Sequence, residues 1–108
     1  MPSITLYTSE SHRLTRDDCA LFSAALAELA QDILKARPDN IHISCLTAEI
    51  GFGTPVYFEA RLRQEMHRTK DRMAEFMYQV DQLIREMTGV SARIRCFSFE
   101  ANNIYGKN

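Results

Sequence analysis

The feature that most restricts what this chain can fold into is that it repeats itself. Its first half reads Ser3-Ile4-Thr5-Leu6-Tyr7, then Arg13-Leu14-Thr15-Arg16-Asp17, a long amphipathic stretch, and Ile41-His42-Ile43-Ser44-Cys45. The second half reads Val56-Tyr57-Phe58-Glu59-Ala60, then Arg68-Thr69-Lys70-Asp71, another amphipathic stretch, and Ile94-Arg95-Cys96-Phe97-Ser98. The two threonines stand 54 residues apart, and Ile41 and Ile94, which open the closing segments, 53. Such a near-constant offset marks a duplicated supersecondary unit, each copy of which buries its apolar face against the other. At 108 residues there is room for one domain, so residues 1–108 are read as a single unit with halves of about 2–50 and 54–108. The fold class is α/β in the α+β sense: two β-α-β units forming one four-stranded sheet, with both helices on one face.

Local chemistry supports each element. Thr15 and Thr69 are hydroxyl residues at the helix entries, where they can accept from exposed amides. Asp17, Asp18 and Asp71 put negative charge where the helix dipole favours it. Phe22, Leu26, Leu29 and Ile33 fall on one stripe of the first helix, with Ala25 and Ala30 beside them. In the second, the stripe runs through Met73, Phe76 or Met77, Val80, Leu83 or Ile84, and Met87. The five methionines read as core packing. Pro38 is expected to end the first helix and Gly89 the second.

The strands alternate. Ile41, Ile43 and Cys45 share one face, as do Val56, Phe58, Ala60 and Leu62, and Ile94 and Cys96; these faces should meet the helices. The other face carries His42, Ser44, Tyr57, Glu59, Arg61, Arg95, Phe97 and Phe99. That mixture of aromatics and arginines is unlike a plain solvated surface and suits a partner subunit. Gly51-Phe52-Gly53-Thr54-Pro55 reads as the turn between halves. The tail from Asn102 to Asn108 is polar around Ile104-Tyr105 and is placed to reach onto a neighbour.

Composition narrows the functional classes. The formal net charge is −1, so nothing draws the chain to nucleic acid or to an anionic membrane. No apolar run approaches a membrane span or a signal-peptide core. The start, Met1-Pro2-Ser3-Ile4, passes straight into a strand, which leads us to expect the mature protein to begin there. Cys19, Cys45 and Cys96 are scattered and odd in number, and neither they nor His12, His42 and His67 have metal-ligand spacing. They read as buried thiols of a cytoplasmic protein. One lookalike competes with this reading. The β-α-β-β-α-β order is shared with the ferredoxin-like fold, and Gly51-Phe52-Gly53 before Val56-Tyr57-Phe58 has the glycine-aromatic look of an RNA-binding strand. Pro55 interrupts that run, Ile50 stands where a basic residue is needed, and the chain is slightly acidic, so RNA binding is the weaker reading.

Met-Pro at the start, the duplicated unit, the Arg68-Thr69 helix entry and the closing strand Ile94-Arg95-Cys96-Phe97-Ser98-Phe99-Glu100 together resemble the tautomerase superfamily. That family includes 4-oxalocrotonate tautomerase, 5-carboxymethyl-2-hydroxymuconate isomerase and macrophage migration inhibitory factor. The resemblance covers nearly the whole chain, and from Arg68 to Glu100 it is strongest toward the muconate isomerase. It implies a homotrimer with sites between subunits, a small carboxylate substrate, no cofactor and no metal, and Pro2 as the catalytic base. Arg68 matches a family position where an arginine binds substrate. Arg95 matches the second arginine of 4-oxalocrotonate tautomerase, on a strand that reaches a neighbour's site. Arg37-Pro38 resembles the Lys-Pro of macrophage migration inhibitory factor, displaced by one residue, which makes Arg37 a further substrate-binding candidate. Phe97 is a candidate apolar wall, and Tyr105 a candidate lid. Counterparts in the first half are His12 or Arg13 for Arg68 and His42 for Arg95, and Arg61 and Arg63 are candidates for pairing with Glu59 or Glu65.

The chemistry suits these residues. Once Met1 is removed, Pro2 carries a secondary amine, and α-amino groups have an ordinary pKa near 8, closer to neutrality than lysine. Apolar burial and neighbouring arginines lower it further by disfavouring the charged form. Such a base can take a proton beside a carbonyl at neutral pH, and a guanidinium fork can hold a carboxylate or polarise a 2-oxo group. Two family features have no counterpart: there is no Cys-x-x-Cys, and Ile104 stands near where dehalogenase-like relatives carry an acid. A non-catalytic trimeric scaffold of the same fold is the alternative, and it differs in whether the Pro2 nitrogen is free.

Overall fold

The structure, a computed structural model, describes residues 2–108; Met1, on whose removal the Pro2 reading depends, lies outside them. The elements follow the duplicated order. Strand β1 (Ser3–Thr8), helix α1 (Arg16–Leu34) and strand β2 (His42–Thr47) form the first unit, and β3 (Val56–Arg63), α2 (Lys70–Thr88) and β4 (Arg93–Phe99) the second. The four strands make one sheet in the order β2-β1-β3-β4. Within each unit the strands run parallel, as a crossover helix requires, and the units meet antiparallel at β1 and β3.

Both helices start as the threonines predict. Thr15 Oγ1 accepts from the Asp18 amide at 3.1 Å and Thr69 Oγ1 from the Arg72 amide at 3.3 Å. The core lies between helices and sheet. Ile4, Leu6, Val56, Phe58, Ala60 and Leu62 on the sheet meet Phe22, Leu26, Ala30 and Ile33 of α1 and Phe76, Val80 and Ile84 of α2. The alternatives on α2 resolve to Phe76 and Ile84, which are buried while Met77 and Leu83 lie at the margin. Phe76 packs a tilted ring on Phe58, with centroids 6.4 Å apart. One methionine departs from the expectation: Met66 is fully exposed in the loop before α2 and contributes nothing to the core.

Gly89 closes α2 in the left-handed conformation (φ 79) that glycine enters without strain. Pro38 does not end α1. That helix stops at Leu34, because Lys35 itself turns left-handed (φ 55) and lets the Ala36 amide close on the Ala30 carbonyl at 3.1 Å. Pro38 instead opens a single 3-10 turn, Pro38–Asn40, on the way to β2. This longer connection corrects the repeat alignment. The helices are offset by 54 at both ends, but Ile4 pairs with Ile43 where Phe58 pairs with Ile94. Ile43 therefore matches Ile94, an offset of 51, and the counterpart of Arg95 is Ser44 rather than His42.

The cysteines are half-buried rather than fully enclosed. Burial pushes the Cys96 thiol from its ordinary 9.0 up to about 11. Burial, then the hydrogen bond and charge of Cys19, push Cys45 up to about 12. A raised thiol pKa means that the folded chain holds the proton more tightly than the unfolded one. The stabilising contribution is complete below pH 9 and is lost as pH climbs toward 11. For Cys96 the loss is on the order of 2–3 kcal/mol. Urea midpoints in reductant from pH 8 to 11 should thus fall more steeply for the native chain than for Cys96→Ala; parallel curves would show that the thiol is not protected.

Candidate active site

The sheet register gathers one end of the molecule around Pro2. The Pro2 side chain is fully buried, and its carbonyl accepts from the His42 amide at 3.0 Å, joining it to the start of β2. Ser3, next along, lies between His42 and Arg61, and Arg61 is paired in turn with Phe97. Since β3 runs against β1, this end also receives the last residues of β3, the loop into α2, and the exit from α1.

Those segments enclose a cavity of about 360 Å³, lined by Lys35, Arg37, Asn40, Arg63, Glu65, His67 and Arg68; the buried Pro2 is at the same end of the sheet but is not among the lining residues. Two of the sequence candidates, Arg37 and Arg68, are thus brought together. Arg37 projects from the N-terminal side of the Pro38–Asn40 turn and is exposed. Arg68 is different. Its side chain is only 3% exposed, with Nη2 3.2 Å from Glu65 Oε2. Its Nε donates to the Leu34 carbonyl at 3.0 Å and its Nη1 to the Arg63 carbonyl at 2.9 Å. Leu34 ends α1, so its carbonyl has no partner within the helix; Arg68 and the His67 ring nitrogen, at 3.0 Å, supply one. A cation there also complements the negative end of the helix dipole. Burial lowers the Arg68 pKa from its ordinary value, the Glu65 carboxylate opposes that, and the Arg63 charge adds to it.

Arg95 and Phe97 lie on the sheet face that no helix covers. Arg95 pairs with Glu59 in register, and its Nη1 turns back to the Ile94 carbonyl at 2.8 Å. Phe97 is 41% exposed. Neither lines the cavity within one chain. Around them the open face holds a connected polar group. Tyr57 donates to Glu59 Oε1 at 2.9 Å, and Arg61 Nε donates to Glu59 Oε2 at 3.2 Å. Tyr57 also stacks on Tyr7 with centroids 5.7 Å apart. Burial first, and then the bond to Glu59, raise the Tyr57 phenol. Tyr105 is 93% exposed and touches none of this.

Of the expected charge pairs, Arg61 does take Glu59, but Glu65 goes to Arg68, and Arg63 has no ion pair among the described residues. The i,i+3 spacing of Glu65 and Arg68 was the available signal. Lys35 was missed because its place in the cavity depends on a left-handed cap on a residue other than glycine. A larger and more open hollow, about 540 Å³, lies at the opposite end of β1 and β2, lined by Ser9, Glu10, Ser11, Thr47, Ala48, Glu49 and Ile50. It carries two carboxylates and no arginine or lysine, so an anionic ligand is drawn to the Pro2 end instead. Among the described residues, no group of three or more His, Cys, Asp or Glu could hold a metal ion, and no helix is long and apolar enough to cross a membrane.

No protein-family model and no curated protein sequence matches the chain. Its fold, by contrast, is found among solved structures. N1, a member of the cis-3-chloroacrylic acid dehalogenase family, superposes with a TM-score of 0.81 at 14% identity, over 96% of this chain and 79% of that one. A macrophage migration inhibitory factor-like protein from Entamoeba histolytica gives 0.77 at 10% identity, over 99% and 95%. A fused 4-OT described as a wild-type symmetric trimer gives 0.76 at 10% identity, over 98% and 92%. At these identities the likeness is one of architecture, and it is consistent across members with different activities. The duplicated β-α-β chain described here has the fold of the tautomerase superfamily.

Proposed function

We propose that this chain is a cofactor-independent keto-enol tautomerase in which the Pro2 nitrogen, freed by removal of Met1, is the general base. The observation that carries the reading is the cation-lined cavity at the Pro2 end of a tautomerase-superfamily fold. The substrate is a 2-oxo acid or its enol, such as an aryl pyruvate or a muconate. Pro2 removes a proton from carbon or oxygen at one position and the same proton is returned at another. Nothing is oxidised, reduced or transferred to a second substrate, so the reaction calls on no cofactor. The substrate carboxylate enters the cavity beside Arg37 and Arg68, and enolate charge develops toward the open sheet face.

The whole chain acts as one domain, and its uncovered sheet face is the surface on which two further copies assemble. In that homotrimer Arg95 of a neighbouring chain polarises the 2-oxo group and Phe97 supplies an apolar wall. The symmetric trimer of a fused 4-OT with the same fold supports the trimeric assembly. The free thiols fit a cytoplasmic setting.

Two measurements test the proposal together. Sedimentation equilibrium at micromolar concentration should give a mass near three chains. Ketonisation of phenylenolpyruvate, followed by absorbance, should exceed the buffer rate, and Arg95→Ala should lose about 2–4 kcal/mol of transition-state stabilisation, roughly 30- to 1,000-fold in kcat/KM. A monomer would remove the shared site. No rate on the enol of any 2-oxo acid would leave a non-catalytic trimeric scaffold as the better reading.

A further inference from the structure

The cavity at the Pro2 end contains more positive charge than the chain neutralises. Lys35, Arg37, Arg63 and Arg68 line it, and its one carboxylate, Glu65, is already paired to Arg68. Arg68 has also committed Nε to Leu34 and Nη1 to Arg63, so all three of its nitrogens are engaged. A carboxylate approaching the Arg68 fork squarely would have to displace one of these contacts.

Arg63 has the opposite character. It is the last residue of β3, and its backbone is pinned on both sides. Its carbonyl takes the Arg68 Nη1 bond at 2.9 Å, and the next amide, Gln64, donates to the Phe99 carbonyl at 2.7 Å. Arg63 nevertheless lines the cavity, is exposed within the single chain, and enters no ion pair among the described residues. Arg61, two positions earlier on the same face, is held by Glu59 instead. Arg63 also lies near enough to Arg68 for the two like charges to oppose each other. An ordinary strand-end arginine is solvated, with a loosely held backbone and no cationic neighbours. A fixed backbone, an unengaged fork and three neighbouring cations in one concavity are the features of an anion-binding arginine.

Resting on the tautomerase reading above, we propose that Arg63 is the side chain that grips the substrate carboxylate, and that Arg68 is a positioning residue holding Arg63 in place through its carbonyl. The division of labour follows from burial. The enclosed guanidinium holds the ends of α1 and β3 through two backbone carbonyls, and the exposed one meets the ligand.

The test compares phenylenolpyruvate with its methyl ester, which keeps the enol and loses the carboxylate. With the acid, Arg63→Ala should raise KM roughly 10- to 100-fold while kcat stays within about threefold, the loss of one charge-assisted fork. Arg63→Lys should recover part of it, as a point charge without the fork. With the ester, native chain and Arg63→Ala should not differ. Arg68→Met, checked for folding by circular dichroism and for assembly by sedimentation, should show the same acid-only rise in KM. Equal KM values for the acid in native chain and Arg63→Ala, or equal losses on acid and ester, would overturn the assignment while leaving the tautomerase reading intact. Calorimetric titration with phenylacetate reads the site without turnover. Binding lost in Arg63→Ala, in a chain that ketonises nothing, would uphold Arg63 and refute the tautomerase. A native chain that neither binds phenylacetate nor ketonises the enol refutes both.

Discussion

Arg68→Met should cost the fold about 3 kcal/mol, measured as the shift in urea unfolding free energy at fixed protein concentration. The substitution keeps an aliphatic stem of similar reach in a side chain that is 3% exposed, so the loss isolates the guanidinium. Three contacts go at once. The Leu34 carbonyl keeps only its bond to His67, the Arg63 carbonyl loses its side-chain donor, and Glu65 loses its guanidinium partner and keeps only His67, 3.8 Å away. Hydrogen bonds to a charged donor contribute about 1.5–3 kcal/mol each when well formed. The Glu65 side of the ion pair is 40% exposed and adds less than a buried pair would. The sum is held to about 3 kcal/mol because water can replace part of what the two carbonyls lose. Arg37→Met, from an exposed side chain in no ion pair among the described residues, should change stability by less than about 0.5 kcal/mol. If the two variants unfold alike, Arg68 does not clamp α1 to the β3–α2 loop.

How far the sequence could be read depended on whether the interactions were local. The threonine caps, the Gly89 stop and the alternation along β3 each depend on a few neighbouring residues, and all are where the pattern places them. The end of α1 is not legible in the sequence, because Pro38 is the strong punctuator there, whereas Lys35 enters the left-handed region against its own preference. The register between β2 and β4 is hidden for a separate reason: Ile41-His42-Ile43 looks like Ile94-Arg95-Cys96, yet the link from α1 to β2 is three residues longer than that from α2 to β4, so the offset falls from 54 to 51. Arg68 and Arg37 were picked out by resemblance, and both do line one cavity. What no spacing could reveal was that Arg68 would be consumed by carbonyls 34 and 5 residues away, leaving Arg63 unengaged. Those partners are set by how the end of α1 meets the end of β3, a tertiary outcome.

The proposed catalysis rests on a single atom. A secondary amine at Pro2 is a base; the same nitrogen in an amide is not. Removing the base should therefore cost about 10²- to 10⁴-fold in kcat/KM, the range a positioned general base contributes. Acidification should have the same effect progressively, since the protonated amine cannot accept a proton, and activity should fall as pH drops through its pKa. Pro2→Ala retains a primary amine in a less constrained direction and should be impaired without being inactive. The most direct measurement is the ketonisation rate of phenylenolpyruvate by two preparations of the native chain, one with Met1 removed and one with Met1 retained, each verified by intact mass. The account predicts catalysis from the first and no more than the buffer rate from the second. Equal rates from both would contradict it, and would place the base somewhere other than Pro2.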